Sequence, residues 1–505
     1  MRESDNKRFA KHIGVAANVF DWPSVTLELP PGQERRPEAV ASFVLAANLL
    51  KRLFSKLSLI ANDVPLGPNP WHLSSLRELP NALNGLSEGD VTWGEPASSD
   101  IVLGIGAPPQ HNAASKSYVT FNGWLSGLEK DVGTDHPGIF GALFAACYGV
   151  SQTFLHAAIA SGAGYRLIEP FALSLLTYDF SGTNAPTPGT VDFEVSHLVG
   201  IGAVGSAFVY ALSHLSSSTG VLQLIDNDCI DEPNLQRYIL MRNKDVEQKK
   251  TDVAKEALRA SGLKGISHPI SFAQFQEHFG YHVNLLITPV DSEAGRRKLA
   301  TCLPKFVLNA ATGNTNVTIS RHGFANGEAC LHCLYLPDIE EVTTEMRLAA
   351  DMGLTVHEVE QHLLANAPVS EDLVHRVEEH LLVEKGKFKD WVGKHIQSFY
   401  QRAICGEAQI NTPTGTIVSP LSFISATAGV LLAVEFVKFR SPALSSFMLS
   451  NYFRVDTLYT PNPAFNQRKP QDPTHRCICW DQDYIETYRT KYPQQPTSDS
   501  SFARP

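Results

Sequence analysis

The pattern of apolar and polar positions predicts a layered α/β protein. Residues 39–59 have the apolar spacing of a helix, residues 100–106 resemble a buried strand that runs into a glycine turn, and residues 138–160 predict a long apolar helix. Strands that alternate with helices indicate an α/β layer. The Ser-, Thr-, Pro- and Gly-rich residues 181–189 predict a linker. We therefore expect a first domain at residues 1–189.

The pattern after this linker is the succession of one βαβ unit. A strand, a glycine turn, a helix and a second strand are predicted at residues 191–199, 200–205, 206–216 and 220–226. Two further buried strands are predicted at residues 284–288 and 305–309. These elements predict a Rossmann-like domain that begins at residue 190.

The composition then changes to Glu, His, Leu and Lys with helical spacing, which predicts a helical insertion at residues 334–404. Thr355 and Glu358 have the spacing of a capping box at a helix start. A last apolar helix is predicted at residues 419–439. We therefore assign residues 190–333 and 405–481 to one domain, and residues 482–505 to a C-terminal helix and a disordered tail.

Composition and charge narrow the class of protein. The chain has 505 residues, 43% hydrophobic and 19% charged, and 42 Lys and Arg against 52 Asp and Glu give a net charge of −10. A strongly basic field, typical of nucleic-acid binding, is missing. We expect apolar runs to be interrupted before the roughly 18 residues of a membrane span. The prediction is a cytoplasmic protein that binds neither nucleic acid nor membrane.

The glycine turn carries a nucleotide-binding motif. Gly200, Gly202 and Gly205 form G-x-G-x-x-G between a predicted strand and a predicted helix, where backbone N–H groups and the helix N-terminus favour a phosphate. Asp226 lies 21 residues after Gly205, at the end of the next strand, where an acid accepts from ribose hydroxyls. The alternative is a glycine turn that serves packing only.

The residues that follow favour ATP over a nicotinamide cofactor. The residues that follow Asp226 include two polar ones, Asp228 and Asn234, and two cations, Arg237 and Lys250. A triphosphate needs such cations to neutralise its charge. A carboxylate that suits a phosphate-bound Mg²⁺ follows the strand at residues 284–288, at Asp291. The alternative is that Arg237 and Lys250 are ordinary surface charges.

This ordered set of motifs resembles the adenylation domain of ubiquitin-activating enzymes and of the bacterial molybdopterin-synthase and thiamine-biosynthesis adenylyltransferases. The resemblance implies that Asp226 holds the ribose, that Asn234, Arg237 and Lys250 bind phosphates, and that Asp291 works with Mg²⁺. It implies attack by the C-terminal carboxylate of a ubiquitin-like protein on the α-phosphorus of ATP. Arg237, Lys250 and Mg²⁺ would stabilise the anions brought together.

The same resemblance bears on the N-terminal half. Conjugation-type activating enzymes pair the active domain with a degenerate copy, and residues 1–189 are consistent with such a copy, without the glycine motif or the Asn-x-x-Arg motif. An arginine of the partner half reaches the ATP phosphates in the family, which makes Arg8 a candidate; the alternative is a solvated terminal charge. An unrelated α/β module for partner binding is the other interpretation of this half.

Four of the eight cysteines are spaced for a metal. Cys330 and Cys333 form C-x-x-C, and Cys477 and Cys479 form C-x-C. In a reducing cytosol four such thiolates predict a tetrahedral, structural Zn²⁺ site. The family usually has a second C-x-x-C here, so His332 or His475 remains an alternative for one ligand.

Cys405 follows the helical insertion, at the place of the family's crossover loop. In several members this loop carries the cysteine that captures the activated carboxyl as a thioester. The resemblance implies this role for Cys405, and a structural cysteine is the alternative.

We therefore predict an activating enzyme that adenylates a ubiquitin-like protein, takes it onto Cys405 and passes it to a ubiquitin-conjugating-like enzyme. It resembles the activating enzymes encoded in bacterial antiviral defence operons. It would be a monomer with an internal pseudo-dimer, or a homodimer. The alternatives are a sulfur-carrier-protein adenylyltransferase, an ATP-dependent tRNA-base dehydratase and an NAD-dependent oxidoreductase.

Overall fold

Two β-sheets organise most of the chain. The computed structural model describes residues 23–493 except residues 88, 97, 338–343, 365–366, 401–402, 404–410, 413–414, 417–420 and 449. The described strands, in chain order, are β1 Val25–Glu28, β2 Leu57–Ile60, β3 Val91–Trp93, β4 Ile101–Ile105, β5 Ser115–Asn122, β6 Leu125–Leu128, β7 Phe171–Ser174, β8 Asp192–Val199, β9 Thr219–Ile225, β10 Lys264–His268, β11 Leu285–Thr288, β12 Phe306–Gly313, β13 Asn316–His322, β14 Asn411–Thr412, β15 Gly415–Thr416, β16 Tyr452–Asp456 and β17 Asn466–Gln467.

Fourteen α-helices accompany these strands within the described residues. They are α1 Pro37–Lys51, α2 Leu79–Leu83, α3 Ile139–Ala160, α4 Ala203–Leu212, α5 Lys250–Ala257, α6 Phe272–Phe279, α7 Glu293–Thr301, α8 Leu331–Leu334, α9 Thr344–Met352, α10 Val356–Leu364, α11 Glu371–His380, α12 Ile396–Phe399, α13 Ser422–Arg440 and α14 Gln482–Lys491.

The two large sheets have the same strand order over their first seven strands. The first sheet runs β3-β2-β1-β4-β5-β6-β7 and the second runs β10-β9-β8-β11-β12-β13-β16-β17. In each sheet the first five strands are parallel and the following ones antiparallel. A helix follows the first strand of each half, α1 or α4, and a long helix precedes the seventh, α3 or α13. The fold is therefore mixed α/β with two mainly parallel sheets, as the Rossmann-like prediction requires.

Helices α3 and α13 correct an expectation about the apolar runs. Both are long and apolar enough to cross a membrane by length and composition, whereas the sequence pattern predicts shorter runs. In each helix the most apolar window is about nine-tenths buried, 89% and 94% respectively. The two helices pack on each other, and α13 also packs on α4. Their composition is explained by burial between the sheets.

The helix predicted at residues 39–59 is too long. It ends at Lys51, and residues 57–60 form strand β2, paired in parallel with β1. The pattern in this strand alternates between buried and half-buried positions, which is the period of a strand rather than a helix. The predicted helix at residues 206–216 begins earlier, at Ala203, inside the glycine motif. The other predicted elements are present within a few residues of their expected bounds.

The chain divides into two compact units. The larger holds Asp21–Leu336 and Pro420–Pro505, with both large sheets, and the described residues of the smaller lie within Pro337–Ser419. The smaller unit is helical and has its own apolar core, which includes Met352, Val377 and Phe399. Its predicted capping box is present, since the Thr355 N–H donates to Glu358 at 2.8 Å and the Glu358 N–H donates to Thr355 at 3.2 Å.

Buried charges join α13 to the second sheet. The Glu435 carboxylate lies 2.8 Å from both the Arg321 guanidinium and the Lys438 ammonium, and it accepts from the Tyr178 hydroxyl at 2.5 Å. Burial opposes ionisation of Glu435, but the two cations outweigh it and lower the pKa of this carboxyl. Glu435 is therefore charged in the folded protein.

Glu435→Gln should lower the free energy of unfolding by about 3 kcal/mol at neutral pH, because it leaves Arg321 and Lys438 buried without their anion. The pKa of Glu435 is lower in the folded protein than its ordinary value of 4.5. The ionised carboxylate therefore stabilises the fold fully above pH 4.5, and this stabilisation is lost as the pH falls through the folded pKa. Urea unfolding of both proteins at several pH values measures this. If the difference in unfolding free energy between the two proteins grew as the pH fell, Glu435 would not be charged in the folded protein.

Candidate active site

The strand order places the candidate site at one crevice. The order reverses between β8 and β11, and in open α/β sheets ligands bind outside the carboxyl ends of the strands at such a point. The glycine turn follows β8, Asp226 follows β9 and Asp291 follows β11. The predicted nucleotide residues thus share one edge of the second sheet.

Each glycine of the motif has its own steric setting. Gly200 has a φ of 95°, a left-handed conformation that favours glycine. A Cβ on Gly205 would lie 2.2 Å from the Gly200 carbonyl oxygen, so only glycine permits this approach of helix and turn. A Cβ on Gly202 would meet only the Tyr238 hydroxyl, at 3.6 Å. Gly202 also directly precedes helix α4, so it lies at a helix N-terminus, which favours an anion.

Gly205→Ala should destabilise the protein by about 1–3 kcal/mol, because the new methyl group would force the turn and the helix apart. Gly202→Ala is the matched control, since its methyl group has room. Thermal unfolding of the two variants measures the difference. Equal stability of both variants would show that the Gly200–Gly205 contact is not tight.

Asp226 is fixed against the glycine turn. Its carboxylate accepts from the Ile201 N–H at 2.6 Å and from the Asp228 N–H at 2.9 Å. Burial raises the pKa of Asp226, and the nearby Lys250 ammonium partly offsets that rise. The acid is therefore oriented by two backbone donors before any ligand binds.

Lys250 faces this acid from the first residue of helix α5. Its side chain is buried, and its Nζ lies 2.8 Å from an Asp228 oxygen and 4.0 Å from an Asp226 oxygen. Burial alone would lower the pKa of Lys250, but Tyr238 and the two carboxylates together raise it. Lys250 is thus a buried, charged ammonium beside the glycine turn, not an ordinary surface charge. Asp228 is an exposed partner of Lys250.

Asn234 and Arg237 share a tight loop. A 3-10 turn spans Glu232–Gln236, and the Asn234 side chain accepts from the Asp231 N–H at 2.9 Å in a reciprocal cap. The Arg237 guanidinium carbon lies 5.6 Å from the centre of the Tyr238 ring, and Lys250 Nζ lies 5.4 Å from the same ring. Tyr238 therefore contacts both predicted phosphate cations. It directly follows the Asn-x-x-Arg motif, but no sequence signal predicts this contact.

Asp291 is exposed on the loop after β11. This loop abuts the glycine turn, since an ideal Cβ on Gly200 would lie 3.2 Å from Val290 Cγ1. The buried Arg296 holds the loop, because its guanidinium donates to the Val290 carbonyl and, at 3.1 Å, to the Asn309 side chain. No sequence signal distinguishes Arg296 from its neighbour Arg297, and the contact was not predicted.

At the corresponding point of the first sheet, a buried acid binds the neighbouring loop. Glu28 ends β1, where Val199 and the glycine turn end β8, and it is buried. Its carboxylate accepts from the N–H groups of Gln110 and His111, each at 2.9 Å, in the loop after β4. Pro30 and Pro31 follow it and have no N–H to donate. Glu28 therefore binds the loop after β4 at the end of β1, the strand that corresponds to β8.

The four predicted metal cysteines form one cluster. Their sulfur atoms all lie within 4.8 Å of one another, and four of the sulfur–sulfur distances are 3.3–3.7 Å. Zinc–sulfur bonds of about 2.3 Å in a tetrahedron give sulfur–sulfur distances of about 3.8 Å. The C-x-C pair thus places both its thiols in the cluster, and the donor set suits Zn²⁺.

Neighbouring groups support this cluster. The Asp472 carboxylate accepts from the Cys477 N–H at 3.2 Å, and the Gln471 amide lies 3.3 Å from the Cys479 sulfur. His332 Nδ1 lies 3.5 Å from the Cys477 sulfur, beside the cluster. The His475 ring stacks on Trp480 instead, with centroids 3.9 Å apart. Neither histidine is needed to complete a four-thiol set.

Two predicted site residues lie outside the described residues. They are Cys405, the candidate thioester cysteine, and Arg8, the candidate phosphate ligand from the N-terminus.

Comparison with known proteins identifies the family. The ThiF family model matches residues 196–479, which include the glycine turn and all four clustered cysteines. A protein from Sinorhizobium fredii described as uncharacterized protein y4jF is 31% identical over 498 residues, 95% of this chain and 93% of that protein. This similarity also covers the N-terminal half and the smaller unit.

Solved structures give weaker matches. The crystal structure of E. coli MccB with MccA-N7isoASN is 15% identical, covers 57% of this chain and 67% of that chain, and has a TM-score of 0.31. The crystal structure of selenomethionine PaaA is 17% identical, covers 33% of this chain and 55% of that chain, and has a TM-score of 0.22. On the family model, the chain belongs to the ThiF family, within the superfamily of ubiquitin-activating-enzyme-like adenylyltransferases.

Proposed function

We propose that this protein adenylates the C-terminus of a ubiquitin-like protein with ATP. The observation that carries the proposal is the buried Lys250–Asp226 pair against the glycine turn, within a chain of the ThiF family. The pair sits where a nucleotide would meet both the ribose acceptor and a phosphate cation. A triphosphate carries more negative charge than the pyrophosphate of a nicotinamide dinucleotide, so this ammonium favours ATP.

In the proposed reaction a carboxylate oxygen of the substrate attacks the α-phosphorus of ATP. A bond forms between that oxygen and phosphorus, the bond to the bridging oxygen of the β-phosphate breaks, and pyrophosphate leaves with the electron pair. Asp226 would orient the ribose, and Lys250 and Arg237 would stabilise the charge that develops on the phosphates. These roles need fixed groups, and the backbone donors to Asp226 supply that rigidity.

Magnesium and zinc fit different sites. Asp291 offers an exposed carboxylate beside the glycine turn, a hard oxygen ligand of the kind that a phosphate-bound Mg²⁺ prefers. Mg²⁺ would neutralise phosphate charge there. The cluster of Cys330, Cys333, Cys477 and Cys479 would hold Zn²⁺ in a closed structural site.

The N-terminal half is proposed to be an inactive copy of the adenylation domain. The shared strand order of the two sheets supports a common architecture, and the buried Glu28 supports the loss of phosphate binding. The two halves would then form an internal pseudo-dimer. A cytoplasmic location is proposed, because ATP and reduced thiols are available there.

The proposal extends to a thioester on Cys405. The thiolate would attack the acyl carbon of the adenylate, forming the carbon–sulfur bond while AMP leaves, and a conjugating enzyme would then accept the acyl group. The presence of a helical unit with its own core supports this extension, because the simpler sulfur-carrier activators lack such an insertion.

Incubation with ATP, Mg²⁺ and a panel of ubiquitin-like proteins, followed by non-reducing electrophoresis, tests the extension. We expect a thiol-sensitive band that disappears in Cys405→Ala and persists in Cys229→Ala, the matched change at an exposed cysteine. A band that persists in Cys405→Ala would assign the thioester elsewhere. Adenylate without any thioester would instead support a sulfur-carrier activator.

A further inference from the structure

We propose that Arg52 of the N-terminal half is a positioning residue that holds the phosphate loop, defined here as residues 234–241. Arg52 directly follows helix α1, which belongs to the first sheet, whereas the loop carries Asn234, Arg237 and Tyr238 of the candidate site. This inference rests on the proposed function, because it assigns the N-terminal half a part in ATP binding.

One guanidinium binds three carbonyl groups of this region. Arg52 donates to the Leu235 carbonyl through one terminal nitrogen, and to the Ile239 and Met241 carbonyls at 3.5 and 3.1 Å through the other. Its Nε donates to the Asn48 side chain at 2.8 Å, and Asn48 in turn donates to the Ile239 carbonyl at 2.8 Å. The acceptors lie on both sides of Arg237 and Tyr238, so they fix the path of the loop between them.

The burial of Arg52 makes this contact costly to keep. The side chain is 3% exposed, and burial lowers its pKa to about 9. Its hydrogen-bond acceptors in the described part of the chain are three carbonyls and one amide oxygen, with no carboxylate among them. An apolar side chain would avoid the desolvation cost but could not donate to the loop. A planar group with five N–H donors is suited to bind several carbonyls at once.

A second residue of the same half holds the same loop. The Trp71 indole N–H donates to the Leu240 carbonyl at 2.8 Å. The Trp71 ring packs edge-on against Tyr210, with ring centroids 6.3 Å apart. Arg52, Asn48 and Trp71 thus bind four backbone carbonyls in or beside the phosphate loop. The N-terminal half would thus order the phosphate loop of the other half.

The test compares ATP with adenosine by calorimetry on the full-length protein. We expect Arg52→Met to raise the Kd of ATP by about tenfold or more, because the loop that carries Asn234 and Arg237 is no longer held. The affinity for adenosine should stay unchanged, since Asp226 and the glycine turn remain. The ATP Kd of Arg52→Lys should lie between those of the unaltered protein and Arg52→Met, because an ammonium reaches fewer carbonyls than a guanidinium.

Lys51→Met is the matched control. Lys51 is the neighbouring buried cation of the same helix, and its Nζ donates to Gly89 within the N-terminal half at 2.6 Å. We expect this variant to lose stability but to bind ATP normally. Trp71→Phe keeps an aromatic ring and removes the N–H donor, so it should raise the ATP Kd even if Arg52→Met fails to fold.

Three results separate the possibilities. Unchanged ATP affinity in folded Arg52→Met, or in Trp71→Phe should the first not fold, would overturn the inference and leave the proposed function intact. Parallel loss of ATP and adenosine affinity would also overturn it, because that pattern reports general destabilisation. Failure of the unaltered protein to bind ATP would contradict the proposed function itself.

Discussion

Replacement of Lys250 with methionine should lower the rate of ATP–pyrophosphate exchange by about 10²–10³-fold. The ammonium is buried, and its raised pKa keeps it charged at neutral pH. Without it, the Asp226 carboxylate would lose the ammonium that faces it, next to the charge that develops on pyrophosphate. The exchange rate with a ubiquitin-like partner at saturating ATP measures the loss.

Lys255→Met provides the control, because Lys255 lies on the same helix, carries the same charge and is exposed. We expect this variant to retain the exchange rate of the unaltered protein. If both variants retained it, Lys250 would be a structural partner of Asp226 only. If both lost it equally, a general charge effect would explain the result.

Removal of the metal should produce the second large effect. We expect Cys477→Ser, or treatment with a strong chelator, to release one zinc ion per chain and to lower the free energy of unfolding by on the order of 5 kcal/mol. The cluster joins two segments that are far apart in sequence, at Cys330 and Cys477. Its loss would remove one of the contacts that hold the C-terminal helix α14 on the domain. Zinc content and the thermal midpoint measure the two effects.

Cys302→Ser is the control for this experiment, since Cys302 is a half-buried thiol outside the cluster and contacts the Gln276 side chain at 3.2 Å. It should keep its zinc and nearly all of its stability. A preparation without zinc that unfolds at the same temperature would show that the four thiols pack without a metal.

Local motifs with a steric reason could be predicted from the sequence. The glycine turn is an example, because the φ of Gly200 and the close approach at Gly205 both require glycine. The cysteine cluster is another, since the ligand spacing is local within each pair. The helix–strand alternation of the second sheet was also readable, because β11 is buried on both faces and reads as an unbroken apolar run.

Features that depend on distant neighbours could not be predicted. The buried positions of Arg52 and Arg296 follow from carbonyl groups that face them in the fold, and the sequence around each resembles an ordinary charged helix end. The role of Glu28 appears only when the two sheets are compared strand by strand. The short strand β2 cannot be distinguished from the end of a helix by its pattern, because four residues are too few to establish a period.

The most direct test of the account is the identity of the products formed from ATP. With Mg²⁺, labelled ATP and a ubiquitin-like partner that supports turnover, we expect cleavage between the α- and β-phosphates, with AMP on the partner's carboxyl group and free pyrophosphate. Arg237→Ala should abolish both products, because Arg237 is one of the proposed phosphate cations. Release of ADP and inorganic phosphate, or pyrophosphate exchange that survives in Arg237→Ala, would contradict it.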